Sequence, residues 1–193
     1  RGGNRGTARA RVVTARQQWL VVAAIVVVAG TAVAVSARIF RDDLVTVGSR
    51  APDFHAVTLD AAPVARSLAD YRGRVTLINI WATWCAPCQR EMPALERMYS
   101  GLQSQGLRLA AVSVDIPGME KEIRDFARRF GLTFEVLYDS EQAIARDYMT
   151  AGYPETFVLG KDGIIRFHQL GPIDRDTLQI RALLVQLLAE PGS

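Results

Sequence analysis

The chain has 193 residues, of which 49% are hydrophobic, and its 23 basic and 20 acidic residues give a formal net charge of +3. This length and hydrophobic content fit one domain with one core and an additional segment. Six of the basic residues, all arginines, precede residue 39, which leaves 17 basic against 20 acidic residues beyond it. Because the positive charge comes from an N-terminal tail, these numbers exclude a basic nucleic-acid-binding domain.

The N-terminal region contains an uncharged segment over residues 17–37. As a helix this segment would measure about 31 Å at roughly 1.5 Å per residue, which is close to the thickness of the hydrocarbon core of a bilayer. By the positive-inside rule, the arginines that precede it keep the N-terminus in the cytoplasm. We therefore predict a cytoplasmic arginine-rich tail over residues 1–16, a transmembrane anchor over residues 17–37 and a tether over residues 38–50.

The alternative for the same segment is a cleaved signal peptide. Small residues over positions 32–36 resemble a cleavage site. The uncharged segment is, however, longer than the apolar region of about 7–15 residues that is usual in a signal peptide. Either interpretation exports the remainder of the chain. The retained anchor predicts a single-pass protein of the bacterial cytoplasmic membrane with its C-terminal domain outside the cytoplasm.

Beyond residue 50, strand-like and helix-like segments alternate. Strands are predicted over residues 75–80, 107–114, 135–138, 156–159 and 164–168. Helices are predicted over residues 88–99, 119–130, 141–148 and 174–188. A hairpin is expected within residues 53–68, and Asp162-Gly163 is a hairpin signal between the last two strands. This order predicts one α/β domain over residues 51–190, with a mixed central sheet and helices on both faces.

The last predicted helix is amphipathic, and its spacing assigns four side chains to the core. These are Leu178, Leu184, Val185 and Leu188.

The chemistry-bearing motif is WATWCAPCQREMP, which holds the only two cysteines, Cys85 and Cys88. A lone close pair indicates redox chemistry and excludes a disulfide scaffold. Neither His55 nor His168 has ligand spacing to the pair, so we predict no metal site and no cofactor. The motif lies between a buried strand and its helix, where the helix N-terminus stabilises a thiolate. Cys85 is then the exposed nucleophile and Cys88 the resolving thiol.

Three ordered motifs carry a resemblance to a known group of proteins. They are GSRAPDF at residues 48–54, LADYRGRVTLINIWATWCAPC at residues 68–88 and GYPETFVLGKDGIIRF at residues 152–167. Residues 48–188 resemble the membrane-anchored thioredoxin-like proteins of the TlpA and ResA type, with the cytochrome c maturation (CcmG/DsbE) reductases close by. The resemblance implies a thioredoxin-like fold and a redox-active disulfide between the two cysteines.

The resemblance also implies roles for individual residues. Cys85 corresponds to the attacking thiol, Cys88 to the resolving thiol and Pro154 to the cis-proline beside the sulfurs. Asn79 stands where cytosolic thioredoxins have a buried aspartate, and because an amide takes up no proton, another group must assist Cys88. Glu91 matches the acidic residue that this group carries, although a solvated first-turn glutamate is the alternative.

Substrate contacts are expected from the residues that flank these positions. Trp84 is expected to form an exposed wall near the sulfurs, whereas Trp81 is expected in the core. A cis bond between Tyr153 and Pro154 would leave neighbouring backbone free to pair with an extended substrate strand. An ordinary turn proline remains the alternative at Pro154, and a functional role for Glu155 stays open.

The function predicted from these features is an extracytoplasmic thiol–disulfide oxidoreductase that reduces specific protein disulfides. By resemblance its substrates are apocytochrome c or the copper-site subunit of an oxidase, and a thiol-transfer electron donor in the membrane keeps it reduced. The alternatives are a disulfide-forming oxidant of exported proteins and a copper-binding assembly chaperone. A peroxidase is disfavoured because Thr83 precedes Cys85 by two positions, whereas peroxiredoxins place this threonine three before their catalytic cysteine.

Overall fold

The computed structural model describes residues 15–42, 45–173 and 177–191, and the chain divides into two compact units, residues 1–43 and 44–193. The described part of the first unit is one helix, α1 (Ala15–Asp42). Within the described residues, no helix is both long enough and apolar enough to cross a membrane. The transmembrane helix predicted over residues 17–37 is therefore not confirmed, and most of the predicted tail over residues 1–16 lies outside the described residues.

The second unit contains seven described strands. They are β1 (His55–Thr58), β2 (Ala65–Ser67), β3 (Thr76–Trp81), β4 (Arg108–Ser113), β5 (Glu135–Tyr138), β6 (Glu155–Leu159) and β7 (Ile165–Leu170). Its α-helices are α2 (Ala86–Leu102), α3 (Glu120–Phe130), α4 (Ala143–Asp147) and α5 (Thr177–Ala189). Short 3₁₀ helices cover Leu68–Tyr71 and Gln103–Gln105.

The strands form one mixed sheet in the order β2-β1-β5-β4-β3-β6-β7. Strand β3 is parallel to β4, β4 is parallel to β5, and the remaining pairs are antiparallel. All six residues of β3 are buried because this strand lies between β4 and β6, as its aliphatic sequence predicts. The predicted mixed sheet and the N-terminal hairpin of β1 and β2 are confirmed.

Helices cover both faces of this sheet, as successive residues of β6 show. The hydroxyl of Thr156 accepts a hydrogen bond from Asn79, whose amide also contacts Glu91 of α2. The ring of the next residue, Phe157, packs against Tyr148 at the end of α4. Because neighbouring residues of a strand point to opposite faces, α2 and α4 lie on opposite sides of the sheet.

The inward face predicted for the last helix is wrong at two positions. In α5, Leu178 is 83% exposed and Val185 is 44% exposed. The buried stripe follows the i, i+4, i+7 spacing through Ile180, Leu184 and Leu187. The sequence of α5 is apolar around much of its circumference, so periodicity alone did not identify the side that faces the core. Residues 174–176, where the prediction began the helix, lie outside the described residues.

Candidate active site

The two cysteines form a disulfide at the beginning of α2. The S–S distance is 2.04 Å, and the Cα atoms of Cys85 and Cys88 lie 5.2 Å apart. Cys85 is the N-cap residue of α2, and its sulfur accepts a hydrogen bond from the backbone N–H of Cys88 at 3.2 Å. Pro87 fits the first turn because a proline there removes no intrahelical hydrogen bond. The local sequence therefore begins the helix at the point that brings the two sulfurs together.

The burial of the two cysteines agrees in order, but not in degree, with their predicted roles. Cys88 is fully buried, and Cys85 is 4% exposed. Cys85 is thus the more accessible thiol of the pair, although it is less exposed in this disulfide-bonded state than the sequence predicted. Its position at a helix N-terminus places free N–H groups and the positive end of the helix dipole next to its sulfur, which stabilises a thiolate after reduction.

The predicted cis-proline segment lies beside the cysteine motif. The Tyr153–Pro154 peptide bond is cis, which confirms that prediction and excludes an ordinary trans turn proline. The ring of Trp84 is 66% exposed and meets the ring of Tyr153 edge-on, with centroids 5.9 Å apart. Burial, with smaller contributions from the charges of Glu155 and Asp139, raises the pKa of Tyr153 above its ordinary value. The structure thus brings together Trp84, Tyr153 and Pro154; their binding roles stay predictions.

Glu91 lies on the buried face of α2, one turn after Cys88. It is fully buried, so the alternative of a solvated first-turn glutamate is wrong. Its Oε1 accepts a hydrogen bond from Nδ2 of Asn79 at 2.8 Å, and its Oε2 accepts one from the backbone N–H of Ile173 at 3.0 Å. The same Asn79 nitrogen donates to Thr156 at 3.0 Å. The buried carboxylate of Glu91 is therefore hydrogen-bonded to Asn79, the residue at the position where cytosolic thioredoxins have a buried aspartate.

A second buried carboxylate, Glu155, follows the cis-proline directly. Glu155 is 3% exposed, and its Oε1 lies 2.5 Å from Nε2 of His168. The His168 ring stacks on the ring of Phe157 with centroids 4.5 Å apart, so this histidine contacts both an aromatic ring and the carboxylate. Because Thr156 and Glu155 point to opposite faces of β6, the Glu155–His168 pair is separate from the Asn79–Glu91 contacts.

Sequence reasoning missed a group of side chains that holds the loop before Cys85. Both carboxylate oxygens of Asp115 accept hydrogen bonds from Thr83, at 2.9 Å from its N–H and 2.7 Å from its hydroxyl. The carbonyl of Thr83 accepts a further bond from the Gln89 side chain at 2.9 Å. The available signal was the position of Asp115, two residues beyond the C-terminal end of β4. Because β4 is parallel to β3, this end of β4 lies beside the C-terminal end of β3, which leads into α2.

The described residues were also compared with the ligand groups that metal ions require. No group of three or more His, Cys, Asp or Glu side chains there could hold a metal ion. The disulfide between Cys85 and Cys88 supports thiol–disulfide exchange. The more accessible sulfur, that of Cys85, can attack a substrate, and the buried sulfur of Cys88 can resolve the mixed disulfide.

Comparisons with known proteins agree with this chemistry. The model of the AhpC/TSA family matches residues 47–168. The thiol-disulfide oxidoreductase ResA of Geobacillus thermodenitrificans is 38% identical over 135 residues, covering 70% of this chain and 75% of that protein. The thioredoxin-like protein YneN of Bacillus subtilis is 36% identical over 135 residues, covering 68% and 76%. A crystal structure of a thioredoxin-family thiol:disulfide interchange protein from Chlorobium tepidum shares the fold, with a TM-score of 0.62, 22% identity and coverage of 75% and 99%.

Proposed function

The chain belongs to the AhpC/TSA family and is a thiol–disulfide oxidoreductase of the ResA type, and from this premise we propose that it reduces specific protein disulfides outside the cytoplasm. The observation that carries the proposed direction is the buried carboxylate of Glu91, one turn after Cys88. A negative charge there disfavours a thiolate on either cysteine. A dithiol whose reduced form is less stabilised is a stronger reductant, the reverse of the case of the oxidant DsbA.

The reduction proceeds by two exchanges at sulfur. The Cys85 thiolate attacks a substrate disulfide, forms a mixed disulfide and releases one substrate thiolate. Cys88 then loses its proton and attacks the Cys85 sulfur, which breaks the mixed disulfide and releases the second substrate thiolate. Two electrons have passed to the substrate, and Cys85 and Cys88 are left oxidised, as they are in this structure. A thiol-transfer electron donor in the membrane would supply the two electrons that restore the dithiol.

The substrate is proposed to bind across the surface formed by Trp84, Tyr153 and Pro154. The exposed Trp84 ring offers an apolar contact next to Cys85. An extended segment of the substrate can pair with backbone beside Pro154 while its cysteine reaches the sulfur of Cys85. Apocytochrome c and the copper-site subunit of an oxidase are the proposed substrate classes, since both present reducible cysteine pairs.

The proposed location rests on the sequence of the N-terminal region. Residues 17–37 carry no charge, and arginines without acidic residues precede them. We expect the chain to fractionate with the cytoplasmic membrane and its C-terminal domain to be digested by protease added outside the cell. A mature N-terminus near residue 35 would instead identify the segment as a cleaved signal peptide and contradict the anchor.

Trapping of mixed disulfides tests the proposed function. A Cys88→Ser variant expressed in the native host lacks the resolving thiol, so it should accumulate disulfide-linked partners through Cys85. The Cys85→Ser variant is the matched control and should trap none of them. Recovery of exported proteins with a cysteine pair, oxidised in cells that lack this chain, would support the reductant. Partners whose cysteines lose their disulfide only when this chain is absent would identify an oxidant instead.

A further inference from the structure

We propose that Asp115 is a positioning residue for Cys85 and that it acts through Thr83 to set the reactivity of the Cys85 thiol. The proposal rests on the thiol–disulfide activity of the chain, but not on whether that activity reduces or oxidises substrates. Asp115 lies outside the cysteine motif and outside the helix that carries it. The contacts of Thr83, two residues before Cys85, connect it to the site.

The Asp115 carboxylate is buried and fully engaged in hydrogen bonds to the loop before Cys85 and to β4. Asp115 is 1% exposed, and three hydrogen bonds converge on its two oxygens. Its Oδ2 accepts from the N–H of Thr83 at 2.9 Å and from the hydroxyl of Ser113 at 2.7 Å. Its Oδ1 accepts from the hydroxyl of Thr83 at 2.7 Å. Bonds to an ionised acceptor are roughly twice as strong as neutral ones, so Thr83 is held firmly.

Thr83 connects this carboxylate to the active-site turn. Its carbonyl accepts a bond from Nε2 of Gln89 in the first turns of α2, at 2.9 Å. The N–H of Cys85 donates to the carbonyl of Ala82 at 3.2 Å, which closes the turn around Thr83. The N–H, the hydroxyl and the carbonyl of Thr83 each make a hydrogen bond, and together these bonds fix the chain immediately before the nucleophile.

Asp115 itself lies on a segment that is held by hydrogen bonds. The N–H of Val114 donates to the carbonyl of Trp81 at 2.9 Å, and the carbonyl of Val114 accepts from the side chain of Gln142 at 2.9 Å. The carbonyl of Ile116 accepts from the hydroxyl of Tyr138 at 2.6 Å. The backbone on both sides of Asp115 is thus held by β3, by β5 and by the N-cap residue of α4, and the carboxylate can hold the loop against the sheet.

A positioning role of Asp115 and an effect of its charge would change the pKa of the Cys85 thiol in opposite directions. If Asp115 acted mainly as a nearby negative charge, its removal would favour the thiolate and lower the thiol pKa. If it acts by position, a loosened loop moves the Cys85 sulfur away from the Cys88 N–H and the helix N-terminus. The thiolate then loses stabilisation, and the thiol pKa rises. The sign of the change therefore separates the two mechanisms.

The experiment compares Thr83→Val with Thr83→Ser and with Thr133→Val in the full chain. Thr83→Val removes the hydroxyl bond to Asp115 and keeps the backbone bond, whereas Thr83→Ser keeps both. Thr133 is the matched control, because Glu96 accepts bonds from its N–H at 2.7 Å and its hydroxyl at 2.6 Å in the same pattern. Thr133→Val should therefore remove one threonine–carboxylate hydrogen bond without acting on the loop before Cys85.

The readouts are the pH profile of Cys85 alkylation in the reduced protein and the reduction potential. We expect Thr83→Val to slow alkylation near neutral pH by about threefold to tenfold and to shift the profile to higher pH. The potential should become more negative by about 30 mV for each tenfold change in the equilibrium constant. Thr83→Ser and Thr133→Val should match the wild type in both readouts. An unchanged profile in Thr83→Val, or faster alkylation in Thr83→Val and in Asp115→Asn, would overturn the proposal.

Discussion

Replacing Glu91 by glutamine should lower the pKa values of the reduced cysteine pair. The glutamine has the same shape, and one of its ends still accepts a hydrogen bond. Asn79 can rotate its amide to receive the new N–H, because its Oδ1 has no hydrogen-bond partner among the residues described. The substitution therefore removes the negative charge and retains most of the local geometry, which makes it a test of electrostatics.

The size of the effect follows from the helical spacing of Cys88 and Glu91. Side chains three residues apart on a helix have Cβ atoms about 5–6 Å apart. Two unit charges about 6 Å apart interact by about 3 kcal/mol at an effective dielectric constant of about 20, and by about 0.7 kcal/mol in water. Since one pKa unit corresponds to about 1.4 kcal/mol, the change in charge should lower the summed pKa values of the pair by about 0.5–2 units.

The assay is the pH dependence of iodoacetamide alkylation and of thiolate absorbance in the reduced protein. The matched control is Glu96→Gln, which removes a carboxylate farther along α2 that bonds to Thr133 instead of Asn79. We expect the titration of Glu91→Gln to shift to lower pH and that of Glu96→Gln to coincide with the wild type. Superimposable curves for Glu91→Gln and the wild type would refute a direct effect of this charge on the thiols.

Three further predictions concern stability and substrate binding. Leu95→Ala should lower the free energy of unfolding by about 2–5 kcal/mol, since Leu95 is fully buried, whereas Leu178→Ala on the exposed side of α5 should change it by about 0.5 kcal/mol or less in urea titrations. Burial raises the pKa values of Tyr71 and Tyr148. The stabilisation that the two protonated tyrosines provide is complete below pH about 10 and is lost at higher pH, so the free energy of unfolding should fall by about 1.4 kcal/mol per pH unit for each tyrosine. Tyr148→Phe should reduce that slope, and an unchanged slope in this variant would contradict the raised pKa of Tyr148. Trp84→Ala should raise KM for a protein substrate and leave the reduction potential unchanged, and an unchanged KM would remove Trp84 from the binding surface.

Local sequence patterns were sufficient to predict most elements of the second unit. The aliphatic run that forms β3 has the length and composition of a strand buried on both faces. The cysteine pair next to Pro87 identified the beginning of α2. The cis bond before Pro154 came from the resemblance of its motif, because most X-Pro bonds are trans.

Contacts set by long-range pairing could not be predicted in the same way. Asp115 reaches Thr83 only because β3 and β4 pair in parallel register, with Trp81 opposite Ser113. His168 reaches Glu155 through the pairing of β6 with β7, which contains an irregularity at Val158/Leu159. Neither contact has a spacing along the chain that a pattern could reveal.

The most direct test of the proposed reductant is the reduction potential of the Cys85–Cys88 pair. The full chain should be equilibrated against graded ratios of reduced and oxidised dithiothreitol or glutathione, and the oxidised fraction measured after rapid alkylation. We predict a potential nearer to that of thioredoxin, about −270 mV, than to that of DsbA, about −120 mV. A value near −120 mV, together with ready oxidation of a reduced model protein, would contradict the proposed direction of electron transfer.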